Sequence, residues 1–194
     1  MRTLRLFEHI SLDGVIQNSA DEDGFPYPDW TGPYRTPEGR DALIAAYGER
    51  YDLLLGRRTY DLWSGFWPKA PSSPMADRLN AATKVVVTHR PERLAWGPVE
   101  ALGPDFLDGV RALKAQEGPD LLLCGSSSLT SPLLDQGLVD ELNLIVYPAL
   151  LGTGKRLFAE GTPARGFELT RSQAFASGVV LNSYKATGSL KPGV

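Results

Sequence analysis

The sequence predicts an α/β fold, in which a mostly parallel central sheet is flanked by helices and closed by an antiparallel C-terminal edge. Over most of the chain, short continuous apolar runs alternate with helical patterns. Strands covered on both faces of a parallel sheet have such runs, whereas half-exposed strands alternate polar and apolar residues. After Gly137 the helical patterns stop, and strand patterns joined by turns follow. This change predicts the antiparallel edge.

The first part of the chain contains the strands and helices of the predicted parallel sheet. Four strands are predicted, at Leu4–Ile10, Asp52–Leu55, Lys84–Thr88 and Asp120–Cys124. Helical spacing and helix-start signals predict helices at Pro37–Arg50, around Met75–Leu79 and at Pro104–Gln116. Helices therefore separate successive strands, as crossovers between parallel strands require.

Three further strands are predicted at the C-terminal end of the chain. They lie at Glu141–Tyr147, Phe167–Phe175 and Val179–Ala186, and the last two are joined by a hairpin turn at Ser177-Gly178. The length of 194 residues fits one domain. We expect a single domain over residues 1–188 and a flexible tail over residues 189–194.

The connection from Gln17 to Gly39 shows no hydrophobic period and is rich in Gly, Pro, Asp and aromatic residues. Loops of this length are uncommon in compact domains unless they form a lid or a binding loop. Its aromatic side chains, Trp30 among them, either contact a ligand or attach the loop to the surface or to a second subunit.

Composition limits the classes of partner. The formal net charge of -3 argues against a nucleic-acid-binding surface, and no apolar run reaches membrane-spanning length. Glu8 and His9 interrupt the first apolar segment, which excludes a signal-peptide core there. One cysteine, Cys124, and two histidines that lie far apart in sequence predict a cytoplasmic protein without a disulfide or a metal site.

The most informative motif is the run Leu53–Tyr60, which reads LLLGRRTY. A strand ends at Gly56, and Arg57, Arg58 and Thr59 follow at once. Such a junction presents cations and free backbone N–H groups to a phosphate. It predicts a nucleotide cofactor that carries an extra phosphate.

A second junction follows the apolar run LLLC, where Gly125, Ser126, Ser127 and Ser128 precede the next helix. Small and hydroxyl-bearing residues at a helix N-terminus offer unpaired N–H groups, the positive end of the helix dipole and hydroxyl donors to a diphosphate. The alternative is an ordinary serine cap. Pro132 interrupts the helical pattern and predicts that this helix begins late or kinks.

A third junction, formed by Thr88, His89 and Arg90, follows another predicted parallel strand. Ligands in open α/β sheets gather at the carboxyl ends of the strands. These side chains therefore either border an adenosine or its phosphate, or are solvated loop residues. The convergence of three such turns favours a nucleotide.

Two other motifs do not match a known phosphate-binding pattern. The segment Gly152–Lys155 is similar to the end of a P-loop, but Arg156 occupies the position that requires Ser or Thr. No G-x-G-x-x-G follows a predicted strand, so the dinucleotide fingerprint is absent from the sequence.

Five motifs occur in an order that resembles the dihydrofolate reductase-like superfamily. They are SLDGVI at Ser11–Ile16, LLLGRRTY at Leu53–Tyr60, VVVTHRP at Val85–Pro91, LLCGSSSL at Leu122–Leu129 and LVDELNLIVYPALLGTGKRLF at Leu138–Phe158. Within this superfamily, the chain is more similar to the bacterial branch related to the reductase domain of the riboflavin-biosynthesis deaminase-reductase. The match covers nearly the whole chain.

The resemblance implies a mixed sheet with helices on both faces, NADPH as the cofactor and a homodimer. By position, Gly56–Thr59 would hold the cofactor's phosphates, with Arg57 as a leading cation. The segment Gly125–Leu129 would receive the diphosphate, and Thr88–Arg90 would flank the adenosine 2′-phosphate. Val15 and Ile16 would approach the nicotinamide, and Asp13 would lie near the substrate.

The chain departs from the family's pattern at two places. Dihydrofolate reductases carry a carboxylate on the helix after the first strand, and the nearest candidates here, Glu38 and Asp41, have no recognisable motif. The riboflavin reductase has Glu-Gly-Gly where this chain has Cys124-Gly125-Ser126. We therefore expect neither folate nor the riboflavin intermediate as the substrate.

These observations predict an NADPH-dependent reductase of a small heterocyclic or carbonyl substrate. Asp13 either supplies a proton or is a turn residue that caps backbone N–H groups. Gln17, Trp30, Phe66 and Trp67 are predicted to contact the substrate, and the three aromatic side chains fit a role as core or interface anchors equally well. The alternative is a noncatalytic nucleotide- or metabolite-binding module that retains the fold.

Overall fold

The computed structural model describes residues 1–18, 24–158 and 160–191. The strands are β1 (Leu4–Ile10), β2 (Tyr51–Gly56), β3 (Lys84–Val87), β4 (Val99–Leu102), β5 (Asp120–Cys124), β6 (Glu141–Val146), β7 (Arg165–Ala174) and β8 (Val180–Ser189). The α-helices are α1 (Pro37–Tyr47), α2 (Arg57–Phe66), α3 (Pro74–Ala81), α4 (Phe106–Ala115) and α5 (Ser127–Asp135).

The eight strands form one sheet in the order β4-β3-β2-β5-β1-β6-β8-β7. The pairs from β4 to β6 are parallel, and the pairs β6–β8 and β8–β7 are antiparallel. The predicted fold class, a mostly parallel sheet flanked by helices with an antiparallel C-terminal edge, is therefore confirmed.

Helices cover both faces of the parallel part of the sheet. Leu53 and Leu55 face the layer formed by α1, α2 and α3, and Leu54 faces the layer formed by α4 and α5. All three leucines are fully buried. The helical side chains that meet the sheet include Tyr47, Tyr60 and Leu79 on the first face, and Val110, Leu113, Leu129 and Leu133 on the second. This double cover explains the continuous apolar runs.

The start of α1 follows from its capping residue. The hydroxyl of Thr36 accepts a hydrogen bond of 3.0 Å from the backbone N–H of Gly39, and Pro37 occupies the first helical position. The helix ends at Tyr47, three residues before the predicted end, because Gly48 adopts a φ of 85°. A residue with a side chain rarely adopts this conformation.

Some elements differ from the prediction. The edge strand β4 was not predicted, because its four residues are partly exposed and lack an apolar run. The sequence predicts that the helix containing Pro132 either begins late or kinks. The late start is wrong, since α5 begins at Ser127. Strand β8 continues through Ser189, the first residue of the predicted tail. Residues 192–194 of that tail and residues 19–23 of the long connection lie outside the described residues.

The parallel strands place their carboxyl ends along one edge of the sheet. Strands β1, β2, β3 and β5 are consecutive neighbours in the order β3-β2-β5-β1. The three polar junctions of the sequence and the segment after β1 are therefore side by side. No helix in the described part of the chain is long and apolar enough to cross a membrane.

Candidate cofactor and substrate site

The turns after β2 and β5 are in direct contact. A Cβ atom on Gly56 would lie 1.8 Å from the hydroxyl oxygen of Ser126, so only glycine fits at this position. On the other side, a Cβ on Gly125 would lie 2.9 Å from the hydroxyl oxygen of Thr59. Gly125 also has a φ of 73°, which favours glycine. Two junctions that are 69 positions apart in sequence thus form one surface.

This surface contains the N-termini of α2 and α5. Neither Gly56 nor Ser126, the residues before the two helices, makes a side-chain capping hydrogen bond. The first N–H groups of a helix have no partner within the helix, and the N-terminus is the positive end of its dipole. The Ser126 hydroxyl therefore does not form an ordinary serine cap on α5. Two adjacent, uncapped helix N-termini are a favourable site for an anion such as a diphosphate.

Arg57 joins the turn after β3 to the start of α2. Its Nε donates hydrogen bonds of 2.9 and 3.0 Å to the two carboxylate oxygens of Asp61. Its Nη1 donates to the backbone carbonyls of Arg90 and Glu92. The hydroxyl of Thr88 in turn accepts a 3.0 Å hydrogen bond from the Arg90 N–H. Arg57 therefore holds this turn in place, with part of its charge balanced by Asp61.

Asp13 fixes the segment after β1 to the segment after β6. Its carboxylate accepts hydrogen bonds from the Ser11 hydroxyl at 2.6 Å and from the N–H groups of Leu151 and Gly152 at 3.2 and 2.8 Å. The bond from Ser11 is the largest of the effects that lower the pKa of Asp13 to about 2. An ionised carboxylate has no proton to donate at neutral pH. These contacts are those of a turn residue, and a role in proton transfer stays a prediction.

The glycine-rich segment after β6 also packs against the segment after β1. A Cβ on Gly154 would lie 2.7 Å from a methyl group of Val15, and Val15 is fully buried. The N–H of Ile16 donates to the Lys155 carbonyl at 2.8 Å, and the side-chain oxygen of Gln17 accepts from the Lys155 N–H at 3.1 Å. Val15 therefore has no exposed side-chain surface for a cofactor, whereas Ile16 is partly exposed.

A cavity of about 700 Å³ lies on the α1–α3 face of the sheet. Phe66 and Trp67, two of the residues predicted to contact a substrate, line it, whereas Trp30 lies behind Tyr147 with its ring centroid 5.2 Å away. The aromatic residues of its wall are Tyr34, Tyr47, Trp63, Phe66, Trp67, Tyr147 and Phe175. No Asp or Glu is among the described residues that line the cavity. Its walls suit a planar, largely apolar molecule.

His9 and Tyr147 provide a polar part of this wall, and the sequence did not assign them a role. The Nδ1 atom of His9 lies 2.7 Å from the Tyr147 hydroxyl. Burial, and secondarily Arg35, lower the pKa of His9 to about 4, and burial raises the pKa of Tyr147 to about 12. Both groups are therefore uncharged at neutral pH. The only signal in the sequence is that Glu8 and His9 interrupt the apolar residues near the end of the first predicted strand.

Glu8, next to His9, connects β1 to the turn after β5. Its side chain is 6% exposed and accepts a hydrogen bond from the Gly125 N–H, while Oε1 has no hydrogen-bond partner among the described residues. Burial raises the pKa of Glu8 to about 8, so the carboxyl is protonated at neutral pH. Since Glu8 and His9 are consecutive, the cavity wall and the anion-binding surface are one residue apart on β1.

The remaining candidate groups are structural or exposed. Cys124 is buried and its pKa is raised to about 12, so its thiol is protonated and unreactive. Arg58, His89 and Arg90 are exposed near the proposed phosphate sites. Within the described ranges, no group of three or more His, Cys, Asp and Glu side chains is placed to hold a metal ion.

Comparison with known proteins identifies the family to which this chain belongs. The family model for the RibD C-terminal domain matches residues 2–181. The chain is 30% identical over 139 residues to the uncharacterized protein YyaP of Bacillus subtilis (strain 168), and the match covers 70% of this chain and 74% of that protein. The resemblance seen in the sequence is confirmed.

Two solved structures share the fold. A putative riboflavin biosynthesis protein from Shewanella sp. PV-4 has a TM-score of 0.71 at 22% identity, with 95% of this chain and 99% of that chain covered. Dihydrofolate reductase from Enterococcus faecalis, in complex with NADP(H) and RAB-propyl, has a TM-score of 0.62 at 16% identity, with coverage of 95% and 96%. At these identities the likeness shows the fold alone.

The contact between Gly56 and Ser126 can be tested by adding a single methyl group. We expect Gly56→Ala to lower the free energy of unfolding by about 1 to 3 kcal/mol, because the new Cβ forces the two turns apart. Gly65→Ala on α2 is the matched control, since no atom other than those of its chain neighbours and of the backbone of its own helix lies within 4 Å of its Cβ position. It should stabilise the helix by about 0.5 to 1 kcal/mol. Urea unfolding measures both, and equal stability of the two variants would contradict the contact.

The buried Glu8 predicts a pH-dependent stability. Folding raises its pKa from 4.5 to about 8. Between these two pH values, the carboxyl therefore holds a proton in the native state and has lost it in the unfolded state. Glu8 therefore makes the free energy of unfolding fall as the pH rises from 4.5 to about 8, by up to about 1.4 kcal/mol per pH unit. The variant Glu8→Gln lacks this dependence.

The measurement is urea unfolding of the wild type and of Glu8→Gln from pH 4.5 to 8. The difference between the two proteins isolates Glu8, because the lowered pKa of His9 acts in the opposite sense below pH 6.5. Glu100→Gln, at an exposed carboxyl on β4, is the control for the substitution itself. A difference between the wild type and Glu8→Gln that does not change with pH would show that Glu8 is ionised in the folded protein.

Proposed function

The chain belongs to the RibD C-terminal domain family, and from this premise we propose that it is an NADPH-dependent reductase that transfers a hydride to a small heterocyclic or carbonyl substrate. The observation that carries the proposal is the contact between the uncapped N-termini of α2 and α5. Glu8 of β1 contacts the turn before α5, and the next residue, His9, lines the aromatic cavity. An anion site beside a cavity for a planar molecule is the arrangement that a nicotinamide dinucleotide and its substrate require.

The residues around the anion site fit the phosphates of NADPH. The N–H groups of Ser127 and Ser128 at the start of α5 would bind the diphosphate, together with the first turn of α2. Arg57 and the exposed Arg90 would pair with the 2′-phosphate of the adenosine. The protonated Glu8 beneath this site adds no negative charge that would repel the diphosphate. When bound, NADPH supplies the hydride.

The cavity residues would bind the substrate and exclude water. Phe66 and Trp67 are part of its wall, and Trp30 supports Tyr147 from behind. Gln17 contacts the segment after β6 and would position it against the substrate. Asp13, being ionised and bonded to that same segment, would act as a positioning residue for these two loops.

The relatives support a reductase. The solved dihydrofolate reductase with the same fold is a complex with NADP(H). The nucleotide bound in that structure and the membership of this chain in the RibD C-terminal domain family support NADPH as the cofactor here. A homodimer, a cytoplasmic location, the absence of nucleic-acid partners and a single domain over residues 1–188 stay predictions from the sequence.

A binding titration tests the cofactor. We expect NADPH to bind more tightly than NADH, by one or more charge-assisted hydrogen bonds worth about 1.5 to 3 kcal/mol each. Arg57→Ala and Arg90→Ala should weaken NADPH more than NADH, because each removes a partner of the 2′-phosphate. Calorimetric titration of each protein with both nucleotides gives the four affinities needed for each comparison.

The matched control is Arg171→Ala on β7, at the opposite edge of the sheet from β3, which should leave both affinities unchanged. Equal affinities of the wild type for NADPH and NADH, or no binding of either, would contradict the phosphate assignment. Tight binding of NADPH without turnover of any pterin, pyrimidine or carbonyl compound would support the noncatalytic nucleotide-binding module instead.

A further inference from the structure

We propose that His9 and Tyr147 form the hydrogen-bonding end of the cavity, where they bind the oxygen of a neutral, planar, conjugated carbonyl compound and supply the proton that its reduction requires. This inference rests on the proposed function and names the substrate class and the proton source of the same site. It is carried by the geometry of the pair and by the charges of the cavity wall.

The backbone holds the two residues at one place. His9 is the last residue but one of β1, and Tyr147 directly follows β6, the parallel neighbour of β1. The Tyr147 N–H donates a 2.9 Å hydrogen bond to the Ile10 carbonyl, which continues the pairing of the two strands beyond β6. Both side chains line the cavity, and their polar atoms lie 2.7 Å apart.

Aromatic packing restricts the Tyr147 ring. Trp30 and Tyr34 meet it edge to face, with centroid distances of 5.2 and 5.7 Å. Trp30 is itself held by a 2.7 Å hydrogen bond from its Nε1 to the Gln17 carbonyl. A phenol held in this way loses little further freedom when a substrate binds, so the geometry suits a preorganised donor.

The pair has one donor hydrogen to spare in either tautomer of His9. If the Tyr147 hydroxyl donates to Nδ1, the imidazole carries its proton on Nε2 and can donate from there. If Nδ1–H donates to the Tyr147 oxygen, the phenol O–H is available instead. A carbonyl oxygen has only acceptor capacity, so it complements the pair in both cases.

The charged groups among the described residues that line the cavity are Arg35 and Arg40, and each lies near an aspartate. Arg35 forms an ion pair with Asp29, and Arg40 lies 3.3 Å from Asp41. Arg35 disfavours the charged imidazolium of His9. The effects of Arg35 and Asp29 on the pKa of Tyr147 oppose each other, since Arg35 lowers it and Asp29 raises it. Since no carboxylate is among the described residues that line the cavity, a cationic substrate would find no counter-charge there.

The proton and electron balance of the step follows from this arrangement. As the hydride from the bound cofactor forms a C–H bond at the carbonyl carbon, the π electron pair of the C=O bond moves onto the oxygen. The spare proton of the pair then forms the O–H bond, and water restores that proton. The carbonyl is thereby reduced by two electrons to an alcohol, and NADPH is oxidised to NADP⁺.

Histidine NMR tests whether the pair touches the substrate. The chain contains two histidines, so a protein labelled with ¹⁵N-histidine gives signals from His9 and from the exposed His89 alone. The probe is 4-nitrobenzaldehyde, a planar and uncharged aromatic carbonyl compound. We expect it to shift the His9 ring signals and to leave those of His89 in place. The cation 4-(trimethylammonio)benzaldehyde, with the same ring and aldehyde, should bind at least tenfold more weakly.

Tyr147→Phe tests proton supply, because it removes the hydroxyl and keeps the ring. We expect the probe's affinity to fall about 2- to 10-fold and kcat with NADPH to fall about 100-fold. The control is Tyr51→Phe, since the hydroxyl of Tyr51 is buried without a partner and the residue is not part of the cavity wall. It should leave affinity and kcat unchanged. Unfolding curves confirm that both variants are folded.

The outcomes separate this inference from the proposed function. If NADPH binds but saturating probe leaves the His9 signals unmoved, or the probe does not bind at millimolar concentration, the assignment of the pair and its substrate class is wrong. If the probe binds at His9 and Tyr147→Phe keeps the wild-type kcat, or the wild type does not reduce the bound probe, proton supply by the pair is wrong. Failure to bind NADPH contradicts the proposed function instead.

Discussion

The site depends on the register of the two central parallel strands, β2 and β5. Leu54 lies opposite Leu123, and the same register two residues further on brings Gly56, the last residue of β2, level with Gly125, the first residue after β5. Because Gly56 has no side chain, Ser126 occupies the space that a Cβ would take, and α2 and α5 begin side by side. Two positive helix ends in contact repel each other, and an anion bound between them offsets that repulsion. The closest packing of the site therefore coincides with the place that favours a phosphate.

Much of the fold could be predicted because burial leaves a direct trace in the sequence. Leu53 to Leu55 and Leu121 to Leu123 are all fully buried, so these strands require continuous apolar runs. Strand β4 left no such trace, since Val99–Leu102 is an edge strand whose side chains are half-buried or exposed. Backbone hydrogen bonds to β3 hold it in the sheet, and hydrogen bonds of this kind are independent of the side-chain pattern.

The candidate site was predictable only where topology follows from fold class. Parallel strands end at one edge, and this rule places the turns at Gly56, Thr88 and Gly125 along the same edge of the sheet. The pairing of His9 with Tyr147 spans 138 positions and depends on β6 lying next to β1, which no local pattern indicates. Likewise, the low pKa of Asp13 depends on the N–H groups of a segment far along the chain.

Two consecutive residues of β1 contact the two parts of the site, which are the turn before α5 and the aromatic cavity. Side chains of successive strand residues point to opposite faces, so Glu8 reaches the turn at Gly125 while His9 reaches the cavity. Burial holds both in their uncharged forms at neutral pH. An ionised Glu8 would place a negative charge beside the turn that precedes α5 and would repel a diphosphate there, whereas a protonated Glu8 leaves the positive potential of the helix N-terminus unopposed. Positive charge is thus concentrated at the turns proposed to bind phosphate, and the cavity contains a neutral polar pair, where we propose that an uncharged substrate binds.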